Sequence, residues 1–332
     1  MASPEPPVPV LYIAGSGRSG STLVDVILDN HPDVAGVGEL SNLVRGAYLD
    51  GRYCACGRPG ATCPFWSEVR REWTRRRSRL DLAAYVLLQR KFERYAAWPR
   101  VVLERAHRSA AFSRYADWTV ALFQAIRQVS GKRMIVDSSK VPTRAAALAL
   151  MPGLDLRVLH LVRDGRGVAY SLQRPYRKDI RAGLPRDVGP APVWRTAVFW
   201  VLVNVQAAAV CRRLDASRAL RVRYEDVMTD FPGVASRLSR TMDVDLTDLS
   251  RRVVAGEEFR TGHTVEGNRL RMLPAVRIRP DVEWLGRFPP HDRRVFWFLA
   301  GWLLRAYGYR EDGSVGIPAD ESGGRRSVVD AR

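Results

Sequence analysis

A glycine-rich turn near the amino terminus has the composition of an anion-binding loop. Residues 15–22 read GSGRSGST and lie between an apolar run and a helical pattern that begins at Ser21. Such a turn exposes backbone N–H groups at a helix N-terminus, where the helix dipole also favours an anion. Gly15 and Gly20 have the spacing of a phosphate-binding P-loop, but Ser21 stands where that loop has its lysine. Because Arg18 is the cation of this turn, the residues favour a metal-free anion such as a 5′-phosphosulfate over magnesium-bound ATP or GTP.

A second basic turn is suited to another anion. Residues 157–162 form an apolar run, Arg163 follows it, and Ser171 lies eight residues further on, about two helical turns away. An arginine fork together with a hydroxyl group suits a phosphate. We interpret the nearby Arg166 as a surface charge.

Two further side chains could move a proton or stabilise charge. Glu39 follows the apolar run 34–37, and a carboxylate there could take the proton of an attacking hydroxyl group. Lys140 follows the run 133–136, just before a helix that opens at Pro142, and its compact charge could stabilise a developing oxyanion. The alternative for both residues is a solvated position in a surface loop.

Three cysteines lie close together in the sequence, at positions 54, 56 and 63. Cys54, Cys56 and Cys63 have the spacing C-x-C-x6-C, and Cys211 is remote. Zinc sites more often use C-x2-C pairs and need a fourth ligand. The spacing therefore favours a structural role without a metal, with zinc as the alternative, and no cysteine is in a recognisable Cys–His arrangement for nucleophilic catalysis.

The elements that must position these residues alternate between strands and helices. Apolar runs at 8–14, 34–37, 133–136, 157–162 and 219–224 predict buried parallel strands, and helical patterns cover 21–30, 142–151, 166–173 and 194–214. This order predicts an α/β fold with a P-loop-like, mainly parallel sheet flanked by helices in a single domain. We expect the domain to span 9–310, with a helical insertion at about 41–130 on the acceptor side, a flexible tail at 1–8 and a disordered tail at 311–332.

Composition narrows the class of protein further. The 332 residues are 46% hydrophobic with only 4 cysteines, which excludes a disordered chain and a disulfide scaffold. The net charge is +18, and only four of the 53 basic residues are lysine. This charge predicts anionic partners. Part of it can also reflect a codon usage that favours arginine, with the additional arginines distributed over the surface. The longest apolar stretch, 197–211, contains Asn204 and Gln206, so we expect a buried core helix, no transmembrane segment and a cytoplasmic protein.

Four segments resemble a known enzyme family. Residues 17–23 (GRSGSTL), 28–34 (LDNHPDV) and 38–40 (GEL) are similar to the 5′-phosphosulfate-binding segment of sulfotransferases that use 3′-phosphoadenosine 5′-phosphosulfate (PAPS). The similarity is greatest to tyrosylprotein sulfotransferases and their bacterial relatives. Residues 157–173 resemble the 3′-phosphate-binding motif of the same family. The resemblance implies PAPS as co-substrate, 3′,5′-ADP as product and no metal ion.

The resemblance also implies roles for individual residues. It makes Glu39 the general base, Lys140 a cation near the bridging oxygen of the donor, and Arg18 a further catalytic cation. Residues 262–271 (GHTVEGNRLR) would close over the nucleotide, the alternative being an arginine-rich surface loop. Since cytosolic sulfotransferases have a histidine base, His263 and His31 are the alternatives to Glu39. The implied nucleotide-binding residues are Gly17, Arg18, Ser19, Gly20, Ser21, Thr22, Arg163, Ser171, Asn268, Arg269 and Arg271.

The leading functional hypothesis is transfer of a sulfuryl group from PAPS to a hydroxyl group or an amine. The acceptor would be a small molecule, a glycolipid or a natural product, bound beneath the helical insertion. A P-loop kinase-like phosphotransferase is one alternative, although it lacks the loop lysine. A basic nucleic-acid-binding protein is the other, but the net charge alone does not explain the ordered motifs at the strand ends, so we expect no nucleic-acid partner.

Overall fold

A five-stranded parallel sheet forms the centre of the fold in the computed structural model, which describes residues 5–181, 184 and 187–314. The strands are β1 (Val8–Ala14), β2 (Val34–Gly38), β3 (Met134–Lys140), β4 (Leu154–Val162), β5 (Ala219–Arg223), β6 (Phe259–Arg260) and β7 (Ala275–Val276). The strand order in the sheet is β2-β3-β1-β4-β5. The antiparallel pair β6 and β7 lies outside this sheet.

Helices cover both faces of the sheet. The described α-helices are α1 (Ser21–Asp29), α2 (Leu40–Asn42), α3 (Pro64–Arg76), α4 (Leu82–Glu93), α5 (Trp98–Glu104), α6 (Ala110–Ser130), α7 (Pro142–Leu148), α8 (Gly165–Leu172), α9 (Val193–Cys211), α10 (Tyr224–Thr229), α11 (Phe231–Met242), α12 (Thr247–Val254), α13 (Glu283–Arg287) and α14 (Pro290–Ala306). A π-helical segment, Leu43–Leu49, follows α2, and 3₁₀ turns occupy Gly60–Thr62, Tyr95–Ala97, Ala216–Arg218 and Arg269–Met272.

The central strand β1 explains why the sheet has helices on both faces. Its residues alternate between the faces, and nearly all of them are buried. Val10 and Tyr12 pack into a core with the insertion helices, whereas Leu11 and Ile13 pack with α1 and α11. A strand that is apolar on both faces must be covered on both, as the continuous apolar run predicted.

The strand order places the binding turns together. From β1 the chain crosses to β2 at one edge of the sheet, and from β4 it crosses to β5 at the other. In such a sheet, ligands bind outside the carboxyl ends of the strands where the direction of crossing reverses. The turns after β1 and β4, which carry Arg18 and Arg163, meet at this point.

The predicted fold class is confirmed, and β3 is the strand that departs most from its prediction. It continues through Lys140, beyond the predicted end at Val136, and pairs with β1 as far as Ala14 after a register shift. The buried Asp137 is accommodated because the Arg144 guanidinium donates to its carboxylate from Nε at 3.0 Å. A buried ion pair therefore allows a polar segment to remain a strand, which an apolar pattern cannot predict.

The predicted tails lie partly outside the described residues, which exclude 1–4 and 315–332. Val8 is already the first residue of β1. At the other end, the carbonyl of Glu311 accepts a hydrogen bond from Arg166 at 2.6 Å.

Helix α9 is long and apolar enough to cross a membrane by length and composition alone, and half of that stretch is buried. It packs against α14, α7, α8 and β4. Among its polar residues, Asn204 is fully buried and bonded to His160 of β4 at 3.0 Å. One face of α9 is therefore part of the core, as predicted, whereas the other face is exposed and carries Trp194, Val198 and Leu202.

Candidate active site

The glycine-rich turn between β1 and α1 is shaped by two glycines with positive φ. Gly15 has φ 150°, and a Cβ there would lie 2.3 Å from the carbonyl oxygen of Leu161. Gly20, with φ 92°, is the N-cap of α1, and a Cβ there would lie 2.4 Å from the ring of Tyr224. Only glycine fits at both positions, so the turn can pass close to β4 and still present the N-terminus of α1.

This turn forms one wall of a cavity of about 600 Å³. The cavity has the size typical of a small-molecule site. It lies at the carboxyl ends of β1, β3 and β4, as the strand order requires. The sequence-predicted residues that line it are Gly17, Arg18, Gly20, Ser21, Thr22, Glu39, Lys140, Arg163, Ser171 and Asn268.

Three of the sequence-predicted residues do not line this cavity. Ser19 is buried behind the turn, and its Oγ has no hydrogen-bond partner among the described residues. The Arg269 guanidinium lies over the ring of Tyr176, 5.3 Å from its centroid. Arg271 is buried and donates to the carbonyl of Tyr53 at 2.8 Å. The structure thus associates Arg271 with the insertion rather than with the cavity.

Arg163 of the second basic turn is joined by a hydrogen bond to the first turn, which carries Arg18. Arg163 donates to the carbonyl of Arg18 at 3.1 Å and to the Asp281 carboxylate at 2.9 Å. Arg18 in turn donates from Nε to Ser171 Oγ at 2.8 Å. Burial lowers the pKa of the Arg18 guanidinium, and the positive charges of Arg163 and Arg269 lower it further. An anion bound here would offset the repulsion between these cations and stabilise the charged form of Arg18.

Sequence reasoning missed several residues of the cavity wall. Arg277, Arg279 and Asp281 come from a segment after β7 that has no apolar periodicity and no glycine-rich turn. Tyr224 also lines the cavity, and the Arg163 guanidinium lies 4.5 Å from its ring centroid. Its position as the last residue of the predicted apolar run 219–224 was the signal that it would lie at the carboxyl end of a strand.

Glu39 and Lys140 form an ion pair at the carboxyl ends of β2 and β3. Both side chains are mostly buried, each with 14% exposure. The Glu39 carboxylate also accepts from Asn42 Nδ2 at 3.2 Å, and its backbone N–H donates to the carbonyl of Val265 at 2.9 Å. Lys140 has φ 70°, a left-handed conformation that is costly for a side chain other than glycine. The chain thus holds the two groups together at the expense of local strain.

A second cavity, of about 420 Å³, opens on the other side of this pair. Gly17, Glu39 and Lys140 line both cavities. Most of the rest of its wall comes from the helical insertion, including Arg45, Val86, Arg90, Arg94 and Tyr95. Phe199 of α9, Ser139 of β3 and Val141 complete it. The proton-accepting and cationic groups therefore stand between two cavities.

A buried polar network supports the floor of the second cavity. Arg144 is fully buried and ion-paired with both Glu93 of α4 and Asp137 of β3. Tyr115 donates to the Glu93 carboxylate at 2.7 Å. The network ties the insertion to β3 next to Lys140, so Asp137 is a structural partner of Arg144.

The interpretation of Arg166 as a surface charge was wrong. Its side chain is 1% exposed and donates to both carboxylate oxygens of Asp164, at 3.0 and 2.8 Å. Its guanidinium lies 5.1 Å from the ring centroids of Trp284 and Trp297. These long-range partners, which no local pattern reveals, make burial of the charge possible.

Neither alternative histidine lines either cavity. His31 follows the C-terminal end of α1, away from the N-terminal end that faces the cavity, and its Nε2 lies 2.9 Å from the carbonyl of Asp245. His263 lies beside Cys54 and Cys63. Of the candidate bases, only Glu39 faces both cavities.

Comparisons with known proteins identify the family. Residues 9–248 match a family model described as the sulfotransferase family. The chain is similar to the sulfotransferase domain from the Synechococcus PCC 7002 olefin synthase, with 20% identity, a TM-score of 0.47, and coverage of 91% of this chain and 96% of that one. It is also similar to the sulfotransferase domain from the curacin biosynthetic pathway, with 16% identity, a TM-score of 0.45, and coverage of 88% of this chain and 97% of that one. A sulfotransferase from Mycobacterium avium is similar with 16% identity, a TM-score of 0.44, and coverage of 76% of this chain and 69% of that one. No curated protein matches the chain. Because the family match covers most of its length, the chain belongs to the sulfotransferase family.

Proposed function

We propose that this protein transfers a sulfuryl group from PAPS to a hydroxyl group of a small acceptor, with Glu39 as the general base. The observation that carries the proposal is the position of the Glu39–Lys140 pair in the shared wall of two cavities. Transfer between two bound molecules needs a donor cavity and an acceptor cavity that meet at the reactive groups. The cavity of about 600 Å³ is the donor cavity, and that of about 420 Å³ is the acceptor cavity.

The donor cavity has the charge that PAPS requires. Its wall holds five cationic side chains against three carboxylates. This surplus of cationic side chains fits a ligand that carries a phosphosulfate and a second phosphate. In this proposal the glycine-rich turn and Arg18 hold the 5′-phosphosulfate, and Arg163 and Ser171 hold the 3′-phosphate. PAPS supplies the sulfuryl group, and 3′,5′-ADP is the product.

The residues between the cavities have separate tasks. The Glu39 carboxylate accepts the proton of the acceptor hydroxyl group, which makes the oxygen a better nucleophile. The Lys140 ammonium, now paired with Glu39, also lies in the donor cavity, where it can stabilise negative charge on the leaving oxygen. Arg18 adds a second positive charge from the turn. Transfer by these groups uses no metal ion.

The acceptor cavity favours an amphipathic alcohol or phenol. Val86, Tyr95 and Phe199 supply apolar surface, and three arginines supply positive charge. Small natural products and glycolipids with an acidic group have this chemistry. Because all four cysteines are unpaired, as is typical of a reducing compartment, we place the reaction in the cytoplasm.

A panel of ligands tests this proposal by thermal shift. We expect 3′,5′-ADP and PAPS to raise the midpoint of unfolding equally with and without added magnesium, because arginines and backbone N–H groups make the contacts. ATP with magnesium and duplex DNA should have little effect. If ATP with magnesium stabilises the protein more than 3′,5′-ADP does, the kinase-like alternative is correct.

A further inference from the structure

Three cysteines and a histidine that are far apart in the sequence meet beside the donor cavity. We call Cys54, Cys56, Cys63 and His263 the thiol cluster. The four candidate ligand atoms all lie within 4.8 Å of one another. The Sγ atoms of Cys54 and Cys63 are 3.8 and 3.3 Å from His263 Nδ1, and those of Cys56 and Cys63 are 3.6 Å apart.

The three separations given above are close to the edges of a tetrahedral metal site, and the remaining pairs of ligand atoms lie within 4.8 Å. With zinc–sulfur bonds of about 2.3 Å and zinc–nitrogen bonds of about 2.0 Å, a tetrahedral ion holds two sulfur ligands about 3.8 Å apart and a sulfur and a nitrogen about 3.5 Å apart. A disulfide would require two sulfur atoms at about 2.05 Å. We propose that the thiol cluster binds one structural Zn²⁺ ion through three thiolates and the His263 imidazole.

The surrounding chain holds the ligands in place without the metal. Cys54 and Cys56 lie in a turn closed by the Gly57 N–H, which donates to the Cys54 carbonyl at 2.9 Å. Cys63 is the N-cap of α3. The His263 ring stacks on Phe65, with ring centroids 5.2 Å apart and planes at 11°, and its carbonyl accepts from Trp66 Nε1 at 2.6 Å. Ligands held this way lose little entropy when the ion binds.

The ligand set favours zinc in a structural role. Thiolate and imidazole ligands in tetrahedral arrangement are typical of zinc, and four protein ligands leave no position for water or substrate. Cys54 and Cys63 are buried, and Cys56 is exposed, so the ion can enter from the solvent side. Binding releases the protons of three thiol groups to solvent.

The ion would connect the helical insertion to the loop that borders the donor cavity. His263 opens a segment in which the Thr264 carbonyl accepts from the Ala55 N–H and the Val265 carbonyl accepts from the Glu39 N–H. Three residues further on, the Asn268 N–H donates to Thr22 Oγ1 at 3.2 Å. Zinc at the thiol cluster therefore fixes the loop that positions Glu39 and closes on the glycine-rich turn.

Metal analysis of the purified full chain tests the inference. We expect one zinc ion per chain by inductively coupled plasma mass spectrometry, and loss of that zinc in Cys56→Ser and His263→Ala. Cys211→Ser is the matched control, since it removes a cysteine remote from the cluster and should keep the zinc. Cys56 is exposed, so its variant should remain folded, and circular dichroism checks this.

Cobalt substitution reports the geometry directly. Protein refolded with Co²⁺ should show thiolate-to-cobalt charge-transfer bands and the intense visible bands of tetrahedral cobalt, and Cys56→Ser should weaken both. The inference is overturned if the folded wild-type chain takes up neither Zn²⁺ nor Co²⁺. It is also overturned if non-reducing peptide mapping finds a disulfide between Cys56 and Cys63 in protein prepared under reducing conditions.

Discussion

At the scale of single residues, the charged groups of the site already have protein partners that a substrate must replace. Lys140 is paired with Glu39, and Arg163 is paired with Asp281. Such pairs keep the side chains oriented while the site is empty of anions, and they exchange one anionic partner for another when a phosphate binds. The consequence is that single substitutions should separate binding from turnover.

Glu39→Gln should reduce turnover by about 10²–10⁴ while 3′,5′-ADP binding stays nearly unchanged, because the amide cannot accept the proton. The loss should be smaller for an acidic phenol than for an alkyl alcohol, since an ionised acceptor needs no base. Steady-state kinetics with both acceptors and titration calorimetry with 3′,5′-ADP measure this. Glu258→Gln, which changes another carboxylate of the donor cavity, is the control. Full activity of Glu39→Gln on the alcohol would exclude Glu39 as the base.

Arg163→Ala should weaken 3′,5′-ADP binding more than 5′-AMP binding, because only 3′,5′-ADP has the phosphate that Arg163 is proposed to hold. A lost charge-assisted hydrogen bond costs about 1.5–3 kcal/mol, which calorimetry resolves easily. Asp281→Asn is the opposite control. It removes the carboxylate that competes for Arg163 and should tighten 3′,5′-ADP binding several-fold. Equal losses for both nucleotides in Arg163→Ala would place the 3′-phosphate elsewhere.

At the scale of elements, the turn between β1 and α1 depends on glycine for two separable reasons. Gly20 has φ 92° and also lies against the Tyr224 ring, whereas Gly131, at the end of α6, has φ 64° and open space around it. Gly131→Ala should cost only the left-handed conformation, about 1 kcal/mol. Gly20→Ala should cost more, and it should weaken 3′,5′-ADP binding by displacing the ring on which Arg163 lies.

Urea unfolding and nucleotide titration of the two glycine variants check this difference. A Gly20→Ala protein that is as stable as Gly131→Ala, and that binds 3′,5′-ADP like wild type, would show that Tyr224 moves aside freely. The backbone alone would then determine the need for glycine at position 20.

The elements that the sequence predicted well are those with local signals. The run 8–14 is buried on both faces, and its strand has the predicted bounds, Val8–Ala14. The glycine-rich turn and the spacing of Arg163 and Ser171 are also local, so their positions in the cavity wall followed from the strand order. Asp281 and His263 contact Arg163 and Cys63, which are far away in the sequence. Neither residue lies in a segment with apolar periodicity or a helix-capping pattern. Arg166 was misinterpreted for the same reason.

At the scale of the whole molecule, the charge of +18 is only partly a surface property. Arg144, Arg166 and Arg271 are among the largest fully buried side chains. Arg144 and Arg166 are paired with carboxylates, and Arg166 also joins α8 to the chain after α14. Arginine abundance therefore contributes to the internal connections of the fold as well as to an anion-binding surface.

Buried carboxyl groups make the stability of the whole chain depend on pH, and Glu225 is the clearest case. Burial raises its pKa from an ordinary value of 4.5 to about 7, against a smaller lowering by the Tyr309 hydroxyl group, which donates to it at 2.6 Å. Between these two pH values the folded protein keeps a proton on Glu225 that the unfolded chain has released. The free energy of unfolding should therefore fall as the pH rises from about 4.5 to about 7, by up to about 3 kcal/mol from this group.

Glu225→Gln should remove that part of the decline, because an amide stays neutral and the Tyr309 hydroxyl group can rotate to accept from it or donate to it. Urea unfolding of wild type and Glu225→Gln across this pH range gives the difference in their free energies of unfolding. Burial also raises the pKa of Asp29, to about 6, but Asp29 is present in both proteins, so its contribution cancels in this difference. Tyr309→Phe provides a second test, since loss of its hydrogen bond should raise the pKa of Glu225 further and move the decline to higher pH. Parallel pH profiles for wild type and Glu225→Gln would mean that Glu225 is ionised in the folded protein, with its charge balanced by groups other than Tyr309 and the Asp164 N–H.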